Sequence, residues 1–169
     1  MVSRAAAAAI FLPLALWADN AAGIHWTAPS GWNAQASRPM RAATYNVPAA
    51  SGDHEGGECA VYYFGPGQGG TVEANLTRWI GQFQGGEKNA KNGKRNIHGL
   101  NVTIVDVSGT YTGMGGPTAQ SQTAKPNYRL LGAIVEAPQG SVFFKFTGAV
   151  KTVAANQKKF DEMLNSIAP

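Results

Sequence analysis

Apolar and polar positions alternate with two different periods along this chain, and the switches between them divide it into elements. Ile24-His-Trp-Thr-Ala28 reads as a short strand closed by Pro29-Ser-Gly-Trp32. Met40 to Val47, bounded by Pro39 and Pro48, and Glu58 to Phe64 read as two further strands. Between them, Ala49 to Gly57 is a turn rich in glycine and acids. The period then changes to that of a helix. Val72, Leu76, Trp79, Ile80 and Phe83 form one apolar stripe, with Thr71 as N-cap, Glu73 in the first turn and Gly85-Gly86 as the stop. On this spacing Asn75, Arg78 and Gln82 face away from the stripe.

The second half repeats the order of elements without repeating residues. A strand runs from Leu100 to about Tyr111, followed by a polar loop from Thr112 to Asn127. Tyr128 to Glu136 and Ser141 to Thr147 flank the turn Ala137-Pro-Gln-Gly140 and predict a hairpin. Thr152 to Ile167 reads as a closing helix with Val153, Phe160, Leu164 and Ile167 on one face. Hairpin-length links imply antiparallel pairing. The predicted class is therefore α+β: an antiparallel sheet of about six strands packed with two main helices, in β-β-β-α-β-β-β-α order.

The N-terminus stands apart. Arg4 precedes an apolar run from Ala5 to Ala18 and the small residues Ala21, Ala22 and Gly23. A short positive region, an apolar core and a small-residue exit describe a secretory signal peptide. The run is shorter than the ~20 apolar residues of a membrane span. Residues 1–22 are thus expected to be a leader and 23–169 a single domain, secreted or periplasmic, with no membrane span after cleavage. No cysteine lies at the exit to carry a lipid anchor. Cys59 is the one cysteine of the chain and lies within a strand, where it reads as a small buried hydrophobe.

Net charge is +4. The densest basic stretch, Glu87-Lys-Asn-Ala-Lys-Asn-Gly-Lys-Arg95, interleaves lysine with Asn and Gly and contains no aromatic. It reads as a solvated loop, and nucleic acid is not an expected partner.

Candidate chemistry is sparse. Gly65, Gly67 and Gly70 match a dinucleotide-type G-x-G-x-x-G between a strand and a helix. Pro66 restrains the turn, however, and Glu87 at the ribose-acid distance falls in a polar loop. A flexible turn into a helix N-terminus is the better reading, with Gly70 and Thr71 left as weak anion-facing candidates. Asp53, His54, Glu55, Glu58 and Cys59 lack the recurrent spacing of a structural metal site, and neither metal nor cofactor is expected. His25 and His98 stand alone beside strands. No G-x-S-x-G elbow is present, and no catalytic residue is assigned. Trp26 and Trp79 read as core aromatics, whereas Trp32, between Gly31 and Asn33, is the tryptophan expected to be accessible. Trp32, Gly70, Thr71 and Arg78 are the candidate ligand-binding residues.

The order of elements, with Phe143-Phe-Lys-Phe-Thr-Gly148 leading to a helix bearing Phe160, Met163, Leu164 and Ser166, resembles the PsbP-like sandwich superfamily. The pattern Trp32, Met40-Arg41, Gly69-Gly70, Asn75, Arg78-Trp79 and Gln82 is also similar to a group of uncharacterised exported bacterial proteins. The motifs shared are structural. The resemblance implies an assembly factor, accessory subunit or binding module, hence an exported non-enzymatic protein with an unknown protein or small-molecule partner. The alternatives from other classes are an extracytoplasmic hydrolase with unassigned residues and a structural subunit of an envelope complex.

Overall fold

The computed structural model describes residues 18–113 and 124–169. Its strands are β1 (Ala18–Ala21), β2 (Ile24–Thr27), β3 (Asn33–Ala34), β4 (Arg41–Val47), β5 (Gly57–Tyr63), β6 (Lys91–Ile97), β7 (Leu100–Tyr111), β8 (Lys125–Ala137) and β9 (Gly140–Ala149). Its helices are α1 (Val72–Ile80), α2 (Gly86–Asn89) and α3 (Val150–Asn165). A seven-stranded antiparallel sheet in the order β3-β4-β5-β9-β8-β7-β6 forms the frame, and β1 and β2 make a separate hairpin. The α+β class read from the sequence is the class observed.

Strand alternation sorts side chains onto two faces. One face carries Tyr45, Val47, Cys59, Val61, Val102, Leu131, Ala133, Phe144 and Phe146, and buries them against Phe160, Met163 and Leu164 of α3 and Trp26 of the hairpin. The other carries Val105, Val107, Tyr128, Leu130, Ile134 and Phe143, which meet Trp79 and Phe83. Cys59 and Trp26 are fully buried and Trp79 is nearly so, in the roles expected of them.

Several boundaries differ from the sequence reading, each for a local reason. The helix from Val72 stops at Ile80 rather than at Gly85-Gly86, because Gly81 caps it by donating to Thr77 O. The chain then turns, and residues 82–84 bond to the end of β7 through Gln84 N to Thr110 O and Thr112 N to Gln82 O. The basic stretch is not a loop. Its residues form α2 and the sheet-edge strand β6, whose register on β7 pairs Lys91 with Asp106 and Ile97 with Leu100. Lysine and arginine along an outer strand blunt edge-to-edge pairing while leaving the inner edge free to bond. The loop expected from Thr112 to Asn127 ends early, since β8 begins at Lys125; its residues 114–123 lie outside the described residues.

The segment Ala18–Ala21 pairs with β2, and the half-buried Asp19 has a structural role. Tyr45 donates its hydroxyl hydrogen to the Asp19 carboxylate and accepts a bond from Trp26 Nε1 at 2.9 Å. The C-terminus closes the same layer: His25 and Ala168 exchange backbone hydrogen bonds, and His98 Nδ1 lies 2.7 Å from Ile167 O.

A concave polar site under helix α1

Helix α1 covers only part of its sheet face. Trp79 lies over Gly132 on β8, and Phe83 packs against Tyr111 with tilted rings, 5.2 Å between centroids. Beyond this cover, towards β9, β5 and β4, the same face turns polar. Lys145 on β9 stands opposite Ala60 on β5, with Thr147 opposite Glu58 one pleat away. Arg41, at a register irregularity in β4, stands opposite Tyr62. These residues and Tyr111 of β7 line a cavity of about 300 Å³.

Its hydrogen bonds define the floor. Lys145 Nζ donates to Gln82 Oε1 at 2.7 Å, and its ammonium stands 5.9 Å from the Tyr111 ring centroid. Arg41 Nη1 donates to Glu58 Oε1 at 2.9 Å and to Thr44 Oγ1 at 3.2 Å, while Arg38 approaches Glu58 at 3.7 Å. The Arg41 guanidinium lies over Tyr62, 5.2 Å from its centroid, and Tyr62 stacks on Phe64 at 6.0 Å. Burial pushes the Lys145 ammonium down to about 8, and Arg41 and Arg78 press the same way against the opposing pull of Glu58. Burial also raises Tyr62 and Tyr111, so both phenols stay neutral at ordinary pH.

A second hollow of about 530 Å³ lies beside the first, lined by Met40, Phe64, Gln68, Gly69, Gly70, Ala74 and Arg78. Met40-Arg41 and the stacked pair Tyr62 and Phe64 link the two. Met40 is 67% exposed, the exposed large hydrophobic residue of the described surface, and sits at a backbone φ of 63°. The glycine turn is shaped by contact here. A Cβ on Gly69, at φ 93°, would stand 2.7 Å from the Phe143 ring and 2.9 Å from Phe64.

The structure separates the expected site residues. Gly70 and Arg78 do come together, in the second hollow. Thr71 is the helix N-cap, accepting from Ala74 N at 3.1 Å, which uses its hydroxyl locally. Trp32 is on the opposite face and only 7% exposed. Its indole N–H donates to Asn156 Oδ1 at 3.0 Å and its ring packs on Phe146. The turn context suggested access, but α3 covers it.

Asn75 and Gln82, read as facing away from the apolar stripe, are nonetheless each only 2% exposed. Asn75 donates to Gly69 O and Thr71 O, both at 2.8 Å, and accepts from Arg78, tying the glycine turn to the helix. Neither role is visible in helical spacing, because both depend on chain that leaves the helix. The acidic turn is also occupied structurally. Asp53 Oδ2 accepts from Thr152 N and Oγ1, both at 2.7 Å, and Glu55 accepts from Lys125 Nζ at 2.8 Å. Strand β5, which leads into the glycine turn, pairs antiparallel with both neighbours, so the turn does not belong to a parallel dinucleotide-binding unit.

Comparison with known proteins places this architecture. No protein family matches the chain, and no curated protein does. Among solved structures, cyanobacterial PsbP (CyanoP) from Synechocystis sp. PCC 6803 aligns over 96% of this chain and 97% of its own, at TM-score 0.54 and 10% identity. The chain has the PsbP-like fold. The PA94 protein of unknown function from Pseudomonas aeruginosa aligns over 86% of this chain and 90% of its own, at TM-score 0.47 and 15% identity. At these identities the PsbP-like likeness is one of fold, and the site must be argued from its own residues.

Proposed function

We propose that this chain is an exported, non-enzymatic binding or accessory protein, acting outside the cytoplasm, that receives a small ligand or a partner segment in the cleft beside α1. One observation carries the reading. The PsbP-like frame buries apolar side chains under α1 but leaves Lys145, Arg41, Glu58 and Thr147 on the uncovered half of that face, walled by Tyr62 and Tyr111. Maintaining a half-buried polar floor costs solvation free energy, which a bound group can repay. The hydrolase alternative draws no support from Cys59, whose side chain is buried on the other face of the sheet. Export rests on the Arg4 and Ala5–Ala18 pattern; among the described residues no helix is long and apolar enough to cross a membrane.

The test compares wild-type protein with a Tyr62→Ala/Tyr111→Ala double variant, both recovered from the native envelope. Native mass spectrometry and identification of co-purifying chains should show a ligand or partner retained by the wild type and lost from the variant. Identical profiles for the two folded proteins would overturn the reading.

A further inference from the structure

Resting on the binding reading above, we infer that the cleft takes an oxyanion, a carboxylate or a phosphate, carried on a flat apolar body. The charge arrangement leads to this. Glu58 is the carboxylate that lines the cavity, and it is already met by Arg41 at 2.9 Å and Arg38 at 3.7 Å. Lys145 is met by a neutral amide oxygen, that of Gln82. An ammonium has three donors, and a guanidinium five. The Lys145 bond to Gln82 uses one donor, and both Arg41 bonds to Thr44 and Glu58 leave through Nη1. Cationic donors therefore remain at the floor without a matching anion among the described residues.

The walls select the rest of the ligand. Tyr62 and Tyr111 present ring surface to the same cavity that Lys145 and Thr147 floor. Its volume of about 300 Å³ suits a single ring with an anionic head, at the small end of ligand pockets. A longer apolar body extends towards Met40 and Phe64 in the adjoining hollow, where Arg78 supplies another cation. An oxyanion on Lys145 restores a favourable charge environment to an ammonium that burial disfavours, so binding and protonation reinforce each other. The groups that face Lys145 are Arg41 from β4, Glu58 and Tyr62 from β5, Arg78 from α1, Gln82 from the following turn and Tyr111 from β7. Among these, burial lowers Lys145 into the near-neutral range, and binding should weaken as pH rises through about 8.

Calorimetric titration of the folded domain with benzoate, phenyl phosphate, inorganic phosphate and the neutral isostere benzamide tests this. At about pH 6.5 one of the two ring-bearing anions should bind at least tenfold tighter than benzamide and than inorganic phosphate. Which of the two leads distinguishes a carboxylate from a phosphate site. That binding should fall at least tenfold in Lys145→Gln, recover in Lys145→Arg, and persist in Lys94→Gln on the sheet edge. If Lys145→Gln fails to fold, wild-type affinity measured at about pH 6.5 and 9.5 carries the same test, with a loss expected at the higher pH. Absence of saturable binding by either anion at millimolar concentration overturns the inference, as does benzamide binding equal to benzoate. In the latter case the cleft remains a binding site, and the envelope comparison above decides that reading separately.

Discussion

The Trp79 indole rests on Gly132 so closely that a Cβ there would stand 2.5 Å from Trp79 Cζ3. This contact seats α1 on β8 and decides how much of the face stays open. Truncating the indole removes buried ring and leaves a cavity, so Trp79→Ala should cost about 3–5 kcal/mol. Gly132→Ala forces the indole or Val105 aside and should cost about 1–3 kcal/mol by overpacking. Arg78→Ala, on the exposed side, should cost much less. Urea midpoints of the three variants check the ranking; a midpoint for Arg78→Ala below that of Trp79→Ala would show that α1 is not anchored through its indole.

Helix α3 begins at Val150 with Ala149 as its N-cap, a residue with no side-chain acceptor. The missing acceptor comes from the β4–β5 turn, where Asp53 takes bonds from Thr152 N and Oγ1. Asp53→Ala should therefore cost about 1 kcal/mol, as loss of a side-chain cap does. Glu55→Ala, two residues along at an exposed ion pair with Lys125, should change stability by less than half of that. Thermal melts near neutral pH separate the two, and equal shifts would remove Asp53 from the capping role.

The main elements were legible because apolar periodicity and local turn chemistry mark them. Leu100 to Tyr111 has the bounds read from it, although its apolar phase shifts between Ile104 and Val105 so that Val102 and Val105 enter different cores. The Thr71 cap and Trp79 stripe follow from local spacing. The site was not legible in that way. Arg41, Glu58, Gln82, Tyr111 and Lys145 come from five segments and meet only through sheet register and the docking of the turn after α1 on β7. The signal available was Lys145 inside Phe143-Phe-Lys-Phe146: a cation at an inward-alternating position requires a polar partner on that face, which Gln82 supplies from the turn after α1. Asn75 and Gln82 escaped for a related reason. Helical spacing assigns a face, whereas their partners lie in the glycine turn and on β9.

On the proposal that the chain is exported, β1 bears on where a leader would be cut. A cut after Ala22 would remove Asp19, the acceptor for the Tyr45 hydroxyl, and the strand that pairs with β2. Leaving that buried donor unsatisfied costs about 1–3 kcal/mol. We therefore expect processing upstream of Asp19, and a recombinant chain starting at Gly23 should be less stable than one starting at Ala18. N-terminal sequencing of exported protein gives the decision, and a mature chain beginning at Gly23 would show that the hairpin is dispensable.

Lys145 sets the sign of the last expectation. Burial lowers its folded value to about 8, whereas an unfolded lysine titrates near 10.4. Below about pH 8 both states hold the proton, and the folded chain bears the full cost of a buried charge. Between about pH 8 and 10.4 the unfolded chain binds more protons, so this residue makes stability rise with pH. A shift of this size corresponds to roughly 3 kcal/mol across the window. Cys59, Tyr45, Tyr62 and Tyr111 act oppositely: burial raises each, the unfolded forms lose their protons first, and stability falls as pH climbs past their ordinary values. The Lys145 contribution is thus read as a difference between wild type and Lys145→Met, which removes the rising part alone. Denaturant unfolding at about pH 7, 8.5 and 10 should show Lys145→Met most favoured relative to wild type at the lowest pH, with the advantage shrinking towards the highest. A difference that stays constant across the three would mean that Lys145 keeps an ordinary lysine's proton affinity in the fold.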